Sequence, residues 1–301
     1  MANIYTDIDQ NKRNTVLIVA AFIAVISFIG WFFGYFFVGD GYTFLGLALI
    51  ISGITSLISY YNSDKIVLAI SNAHPIDEAS NQYLYHLVQN LCLGAGLPIP
   101  KIYIIDDQAM NAFATGRDPQ HASICFTSGI VQGLDKLELE GVAAHELSHI
   151  GNYDTRLMCI VSVLVGMVSL LGHWFTRGIF WGGGRRRGSG DSELGGIFML
   201  IGLIFVILSP IIATLIQLAI SRNREYLADA SGALLTRYPK ALASALEKIS
   251  QDPNILREAN GATAHLYISN PFKSGEDGNF FANLFSTHPP VQDRIKRLLS
   301  M

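Results

Sequence analysis

The apolar residues are distributed in blocks. Four stretches are apolar over about 20 residues or more, the length an α-helix needs to cross a hydrocarbon layer. They are residues 15–38, about 42–61, about 157–181 and about 195–220. Trp31, Tyr35, Tyr60, Tyr61, Trp174 and Trp181 lie near their ends, where amphipathic rings favour a membrane interface. The first stretch exceeds the roughly 7–15-residue core of a cleaved signal, so it is expected to remain as an anchor. Between stretches two and three the pattern becomes that of a folded lobe. Residues 75–94 have helical spacing, with Ala79, Tyr83, Leu87, Val88 and Leu91 on one face, and the run Ala95-Gly96-Leu97-Pro98 ends them. Residues 101–105 and 123–127 read as strands of a small sheet. Residues 111–116 lie between them, either as an edge strand or as a turn tied by Asn111 and Gly116. Asp135 and Glu138 form a capping-box-like start for a helix whose apolar positions include Leu137, Leu139, Val142, Ala143, Leu147 and Ile150. After stretch four, residues 221–235 and 239–249 predict two more helices. Residues 251–287 form an irregular connection, and the Gly- and Arg-rich segment 182–196 is low in complexity.

These elements predict a mainly α fold with a small β-sheet (α+β), organised in four parts. Residues 1–65 form an N-terminal membrane hairpin, 66–156 the first half of a soluble lobe, 157–220 a second hydrophobic pair and 221–301 the second half of the lobe. No internal repeat interrupts this order. A composition that is 50% hydrophobic and 15% charged agrees with a membrane protein. A net charge of −3 and the lack of a basic–aromatic stripe argue against a nucleic-acid partner. Cys92, Cys125 and Cys159 form no C-x-x-C pair and read as buried small side chains in a reducing compartment.

Lysine and arginine set the expected orientation. Lys12 and Arg13 precede stretch one, Lys65 follows stretch two, and Arg156, Arg222 and Arg224 flank the last pair on the lobe side. The link Gly39-Asp40-Gly41 has no cation, so termini and lobe are expected in the cytoplasm. Arg177 and Arg185–Arg187 run against this rule. Either the first hairpin dominates orientation, or stretches three and four form a tilted pair that does not fully span. A hairpin returns the chain to the side it left in both cases.

The chemistry begins at His145-Glu146-Leu147-Ser148-His149. Two imidazoles four residues apart share one helical face and can grip one metal ion, with the intervening glutamate placed as a base for water. A pair of histidines decorating a helix is the bland alternative. Downstream, Glu225 and Asp229 are again four apart, so Glu225 can complete a two-histidine, one-carboxylate ligand set while Asp229 orients a ligand histidine. Alternatively, Glu225 pairs with the neighbouring arginines on a solvated face. His74, His86, His121, His173 and His265 lack ligand spacing.

His145–His149, the run SRNREYLAD at 221–229, Thr287-His288-Pro289-Pro290 with Arg294, and Asn111–Gly116 together resemble the membrane-bound M48 zinc metallopeptidases of the HtpX group. The resemblance covers essentially the whole chain. It implies a gluzincin-like zinc peptidase lobe with one Zn²⁺ per chain on His145, His149 and Glu225, and Glu146 as general base. It also implies that His288 and Arg294 form a pair near the zinc that stabilises the oxyanion or binds substrate, a capped turn at Pro289 and Pro290 being the bland alternative for His288, and that Asn111, Ala112 and Phe113 meet a protein or peptide substrate. The expected activity is endoproteolysis of membrane or misfolded proteins at the cytoplasmic face of a bacterial inner membrane, in quality control. Two alternatives stay open: a processing peptidase for lipid-modified C-termini, and a zinc transporter or sensor without hydrolysis. Because His149 and Glu225 lie close to stretches three and four, coupling of the metal site to that pair is expected, with stretches one and two dispensable for metal binding.

Overall fold

The computed structural model describes residues 4–35, 39–166, 222–257, 259, 262–271 and 289–301. Helices α1 (Ile4–Phe33) and α2 (Gly41–Ile70) form a hairpin. Both are long and apolar enough to cross a membrane, over Ile8–Phe32 and Gly41–Ile70. Their polarity is inverted relative to a water-soluble hairpin. Ser52, Ser56, Ser59 and Ser63 are buried, while Ile50, Ile51, Ile54, Leu57 and Ile58 are exposed. This is the arrangement a hydrocarbon solvent favours, because small residues let helices approach and lipid takes the aliphatic faces. At Gly30 a Cβ would fall 2.5 Å from that of Ala48, so only glycine permits the observed approach. Helix α2 runs past residue 61, where the sequence pattern placed its end. Val67 and Leu68 are buried with Ile105 and Phe113, so the helix enters the lobe's core instead of stopping at the polar run Asn62–Lys65.

The lobe contains a four-stranded sheet in the order β1 (His74–Ile76), β2 (Lys101–Ile105), β4 (Ala122–Thr127), β3 (Ala112–Gly116). Strands β2 and β4 are parallel and the other pairs antiparallel. Residues 111–116, open between strand and turn in the sequence, supply the edge strand β3. Strand β1 was not legible: residues 75–94 predicted one helix, yet helix α3 spans Gln82–Ala95 behind the N-cap Asn81. A turn in which Asp77 Oδ1 accepts from the Ser80 amide at 2.9 Å separates the two.

Short helix α4 (Ser128–Gly133) leads to α5 (Lys136–Gly151). The expected capping box is present: Asp135 accepts from the Glu138 amide and Glu138 from the Asp135 amide, each at 2.9 Å. Glu138 also accepts from Ser244 and Lys248 at 2.7 Å, linking α5 to α8 (Pro239–Gln251). Nearly every residue of α5 from Glu138 to Ile150 is buried, so this helix runs through the core. It packs against α7 (Arg222–Thr236) and α8, while α9 (Val291–Leu299) packs on both.

Residues 154–166 form helix α6, directly after α5. Its Leu157, Ile160, Val161, Leu164 and Val165 pack with Ile18 and Phe22 of α1. This is the described part of stretch three. The rest of that stretch, segment 182–196 and stretch four lie outside the described residues, as does His288. The described chain is mostly helical with a small mixed sheet. All three cysteines are free and buried, as expected.

Candidate metal centre

Two crossing helices build the site. Helix α5 presents His145, Glu146 and His149, and α7 presents Glu225 and Asp229. Gly232 makes the crossing close: a Cβ there would lie 3.0 Å from the His145 backbone nitrogen and 3.2 Å from the Ala144 carbonyl carbon. All five polar side chains are buried, at 1–4% exposure.

One ligand atom from each of His145, His149 and Glu225 lies within 4.8 Å of the others. His149 Nε2 is 3.5 Å from Glu225 Oε1, and His145 Nε2 is 3.8 Å from Glu225 Oε2. Each imidazole is oriented through its far nitrogen. His145 Nδ1 is 3.0 Å from Asp229 Oδ1, and His149 Nδ1 is 3.0 Å from Asp154 Oδ2. With each Nδ1–H donating to a carboxylate, both Nε2 atoms carry lone pairs, and these atoms are 3.2 Å apart. That contact calls for a proton or a metal ion: an Nε2–H on one ring would donate to the other, and a metal ion would be held by both.

The electrostatics make the same demand. Glu146, Glu225, Asp229 and Asp154 are buried carboxylates beside two guanidinium groups, Arg294 and Arg224, and a divalent cation would balance them. Burial pushes the Glu146 carboxyl up to about 7, with His149 opposing and Glu225 adding to the shift. Burial lowers His149, but the Asp154 hydrogen bond and the charges of Glu225, Asp154 and Glu146 prevail and lift it to about 9. A proton at His149 thus answers the call for positive charge. His145 is lowered, chiefly by burial. Burial raises Asp229, yet the charge and hydrogen bonds of Arg294 bring it down to about 2, so it stands as a fixed anion against His145. Two imidazole nitrogens and a carboxylate, each with an oriented far side, match the donor set of a hydrolytic metal ion with open positions.

The structure brings together His145, Glu146, His149, Glu225 and Asp229, as the spacing predicted. Arg294 joins them differently from the expected substrate contact. It is fully buried, donates to Asp229 through Nε at 2.8 Å and Nη2 at 2.7 Å, and donates to the Ile268 carbonyl at 3.0 Å. Its guanidinium holds the carboxylate that holds His145. Asn111, expected at the substrate, is also buried: its side chain donates to Ser269 O at 3.0 Å and accepts from the Ala112 amide at 3.1 Å. Phe113 packs edge-on against Tyr267 with ring centroids 5.0 Å apart, and the Ala112 carbonyl accepts from the Ile268 amide at 2.9 Å. These residues anchor the 264–269 segment to β3. The intermediate residue Ala114 places its backbone at Glu146, whose acidity its hydrogen bond increases.

Asp154 was missed. A sequence signal existed, since two oriented imidazoles need two orienting groups and Asp229 can serve only one. Asp154 lies beyond the end of α5, however, where helical periodicity no longer predicts direction.

The model of Peptidase family M48 matches residues 78–301. A protein named protease HtpX homolog from Caldanaerobacter subterraneus subsp. tengcongensis is 45% identical over 295 residues, covering 97% of this chain and 96% of that one. Another protein of that name, from Tropheryma whipplei strain Twist, is 45% identical over 297 residues, covering 99% and 98%. The crystal structure of S. mikatae Ste24p matches with a TM-score of 0.49 at 19% identity, covering 98% of this chain and 67% of that one, a likeness too loose to inform the site.

Proposed function

The chain belongs to peptidase family M48 and is an HtpX-like metalloprotease; from that premise we propose that its metal is zinc, held by His145, His149 and Glu225, and that Glu146 is the general base of peptide hydrolysis. The observation that supports this most is the convergence of one ligand atom each from buried His145, His149 and Glu225 within 4.8 Å, with each imidazole's Nδ1 beside a carboxylate. When bound, zinc supplies Lewis acidity that polarises the scissile carbonyl and acidifies water. Glu146 lies one residue from a ligand histidine on the same helix, so its carboxylate can take a proton from the attacking water and return it to the leaving amine. Its buried setting raises its basicity, which suits that task near neutral pH. Asp229, fixed by Arg294, and Asp154 hold the imidazoles in the tautomer that puts a lone pair on each Nε2, that of His145 also facing Arg294 Nη2 at 3.4 Å.

Strand alternation supports a place for the substrate. The Ala112 carbonyl points away from β4, toward Ile268, so the Ala114 amide and carbonyl also point away from the sheet. In the proposed pose an extended peptide lies along β3 beside Glu146 and donates to the Ala114 carbonyl while the Ala114 amide stays bonded to Glu146, with main-chain hydrogen bonds giving affinity and little sequence selectivity. His288, outside the described residues, is proposed as an oxyanion group on the family resemblance. The proposed substrates are membrane or misfolded proteins, cleaved at the cytoplasmic face of the inner membrane in quality control. The inverted polarity of α1 and α2 supports the membrane setting, and Lys12, Arg13 and Lys65 support the orientation. Glu146→Gln tests the assignment. It should retain zinc and lose proteolysis, and proteome-wide cleavage mapping in cells carrying the active or Glu146→Gln protein should reveal the substrates. Undiminished hydrolysis by Glu146→Gln would refute the base.

A further inference from the structure

Asn11 is a polar residue in α1 that is only 3% exposed. Burying an amide is unfavourable unless it is hydrogen-bonded. Its Nδ2 donates to Asp154 Oδ1 at 2.7 Å and to the Asn152 carbonyl at 3.0 Å. The other Asp154 oxygen is the one 3.0 Å from His149 Nδ1. A chain of two hydrogen bonds therefore runs from the N-terminal helix to an imidazole of the metal centre.

These contacts converge on the junction between α5 and α6. Asn152 caps α5, Tyr153 has a positive φ of 60°, and the helix resumes at residue 154. Lys12 Nζ lies 4.7 Å from the Tyr153 ring centroid, and the Arg156 guanidinium 4.9 Å from it. Neighbouring residues of α1 thus hold the backbone and a side chain of the junction at once. Arg224 Nη1 faces the same Oδ1 at 3.8 Å, beyond direct hydrogen-bond length, so without Asn11 the carboxylate could turn about its own torsions and carry the imidazole with it. The amide of Asn11 fixes its second oxygen and references it to the end of α5. An amide NH₂ suits this role because it has two hydrogens for two acceptors; a carboxylate has none and a hydroxyl one.

We propose that Asn11 is a positioning residue of the metal centre, acting through Asp154 to fix His149, so that metal affinity depends on how α1 is seated against the lobe. This inference rests on the reading of His149 as a ligand. It departs from the expectation that the first membrane segment is dispensable for metal binding.

The test uses the full-length protein in lipid nanodiscs. Zinc affinity is measured by competition with a chromophoric chelator, and ligand geometry by the visible spectrum of the cobalt-loaded protein. The variants are Asn11→Ala, Asp154→Asn, their double, Phe22→Ala and His149→Ala. Phe22 packs in the same α1–α6 contact without touching the relay. Asn11→Ala and Asp154→Asn should each weaken zinc binding about tenfold or more, as losing an outer partner of a ligand does. Both should shift the cobalt bands, and the double variant should be no worse than Asp154→Asn alone. Phe22→Ala should lower the melting temperature yet keep the wild-type spectrum. Wild-type affinity and spectrum in Asn11→Ala, or losses that multiply in the double variant, overturn the proposal. Should Asn11→Ala not fold, Asn11→Ser, which keeps one donor, must show weakened affinity, and wild-type affinity there overturns it equally. Zinc binding by His149→Ala at wild-type strength would instead overturn the metal reading itself.

Discussion

Gly232→Ala probes how the two halves of the metal centre are held together. The added methyl would lie 3.0 Å from the His145 nitrogen, 3.2 Å from the Ala144 carbonyl carbon and 3.2 Å from the His145 Cα. All three are backbone atoms of a buried helix and cannot rotate aside. Ordinary contact begins at 3.4 Å, so α7 must retreat from α5 by about 0.4 Å, and overpacking of this kind costs about 1–3 kcal/mol. Glu225 and Asp229 move with α7, whereas His145 and His149 stay on α5. Metal–ligand distances are held within about 0.2 Å, so the retreat exceeds what the site tolerates. Zinc affinity should fall roughly 10–100-fold, as when an orienting partner is lost, and hydrolysis of an unfolded reporter protein should fall with it at limiting zinc. Chelator competition reads the first and a fluorogenic substrate the second. Gly53→Ala, where no atom lies within 4 Å of the new methyl, is the control and should leave both unchanged. Wild-type zinc affinity in a folded Gly232→Ala protein would refute the reasoning, because the helix crossing would then not set the ligand geometry.

Glu225→Gln should lose zinc more completely than Asp229→Asn, which should cost roughly 10–100-fold in affinity; equal losses in dialysis followed by metal analysis would contradict a ligating Glu225. The Glu146 carboxyl rises from 4.5 to about 7 on folding, so the metal-free wild type is destabilised once that group must ionise. The Glu146→Gln protein, stripped of metal, should match wild type below about pH 4.5 and exceed its stability by about 3 kcal/mol above pH 7. Denaturant titration across that range checks the sign, and a constant difference at all pH values would refute it. Arg294→Lys should weaken zinc binding even though charge is kept, because an ammonium cannot make both Asp229 bonds and the Ile268 bond. A cysteine at Asp40 should react with a membrane-impermeant thiol reagent from outside intact cells, and protection there until lysis would reverse the proposed orientation.

The local pattern was legible wherever one face of one element determined the outcome. The capping box at Asp135 and Glu138, the shared face of His145 and His149, and the pairing of Glu225 with Asp229 all depend on the fixed period of a helix. The apolar runs of α1 and α2 followed from length and composition alone. Strand β1 was hidden because three residues centred on a proline have too little pattern to separate them from the helix that follows. The partners of Arg294 and Asn111 were not legible for a different reason. A motif records which side chains recur together, whereas burial and partners decide whether a guanidinium faces a substrate or a neighbouring carboxylate. Asp154 was signalled only as a missing second orienting group, and Asn11 was beyond reach. One lies past a helix cap, where chain direction resets, and the other depends on a contact across 143 residues of sequence. Sequence periodicity placed the ligands on their helices, because that geometry is local. Only the tertiary packing of α5, α6, α7 and α1 decided how the imidazoles are aimed, because the groups that aim them come from distant parts of the chain.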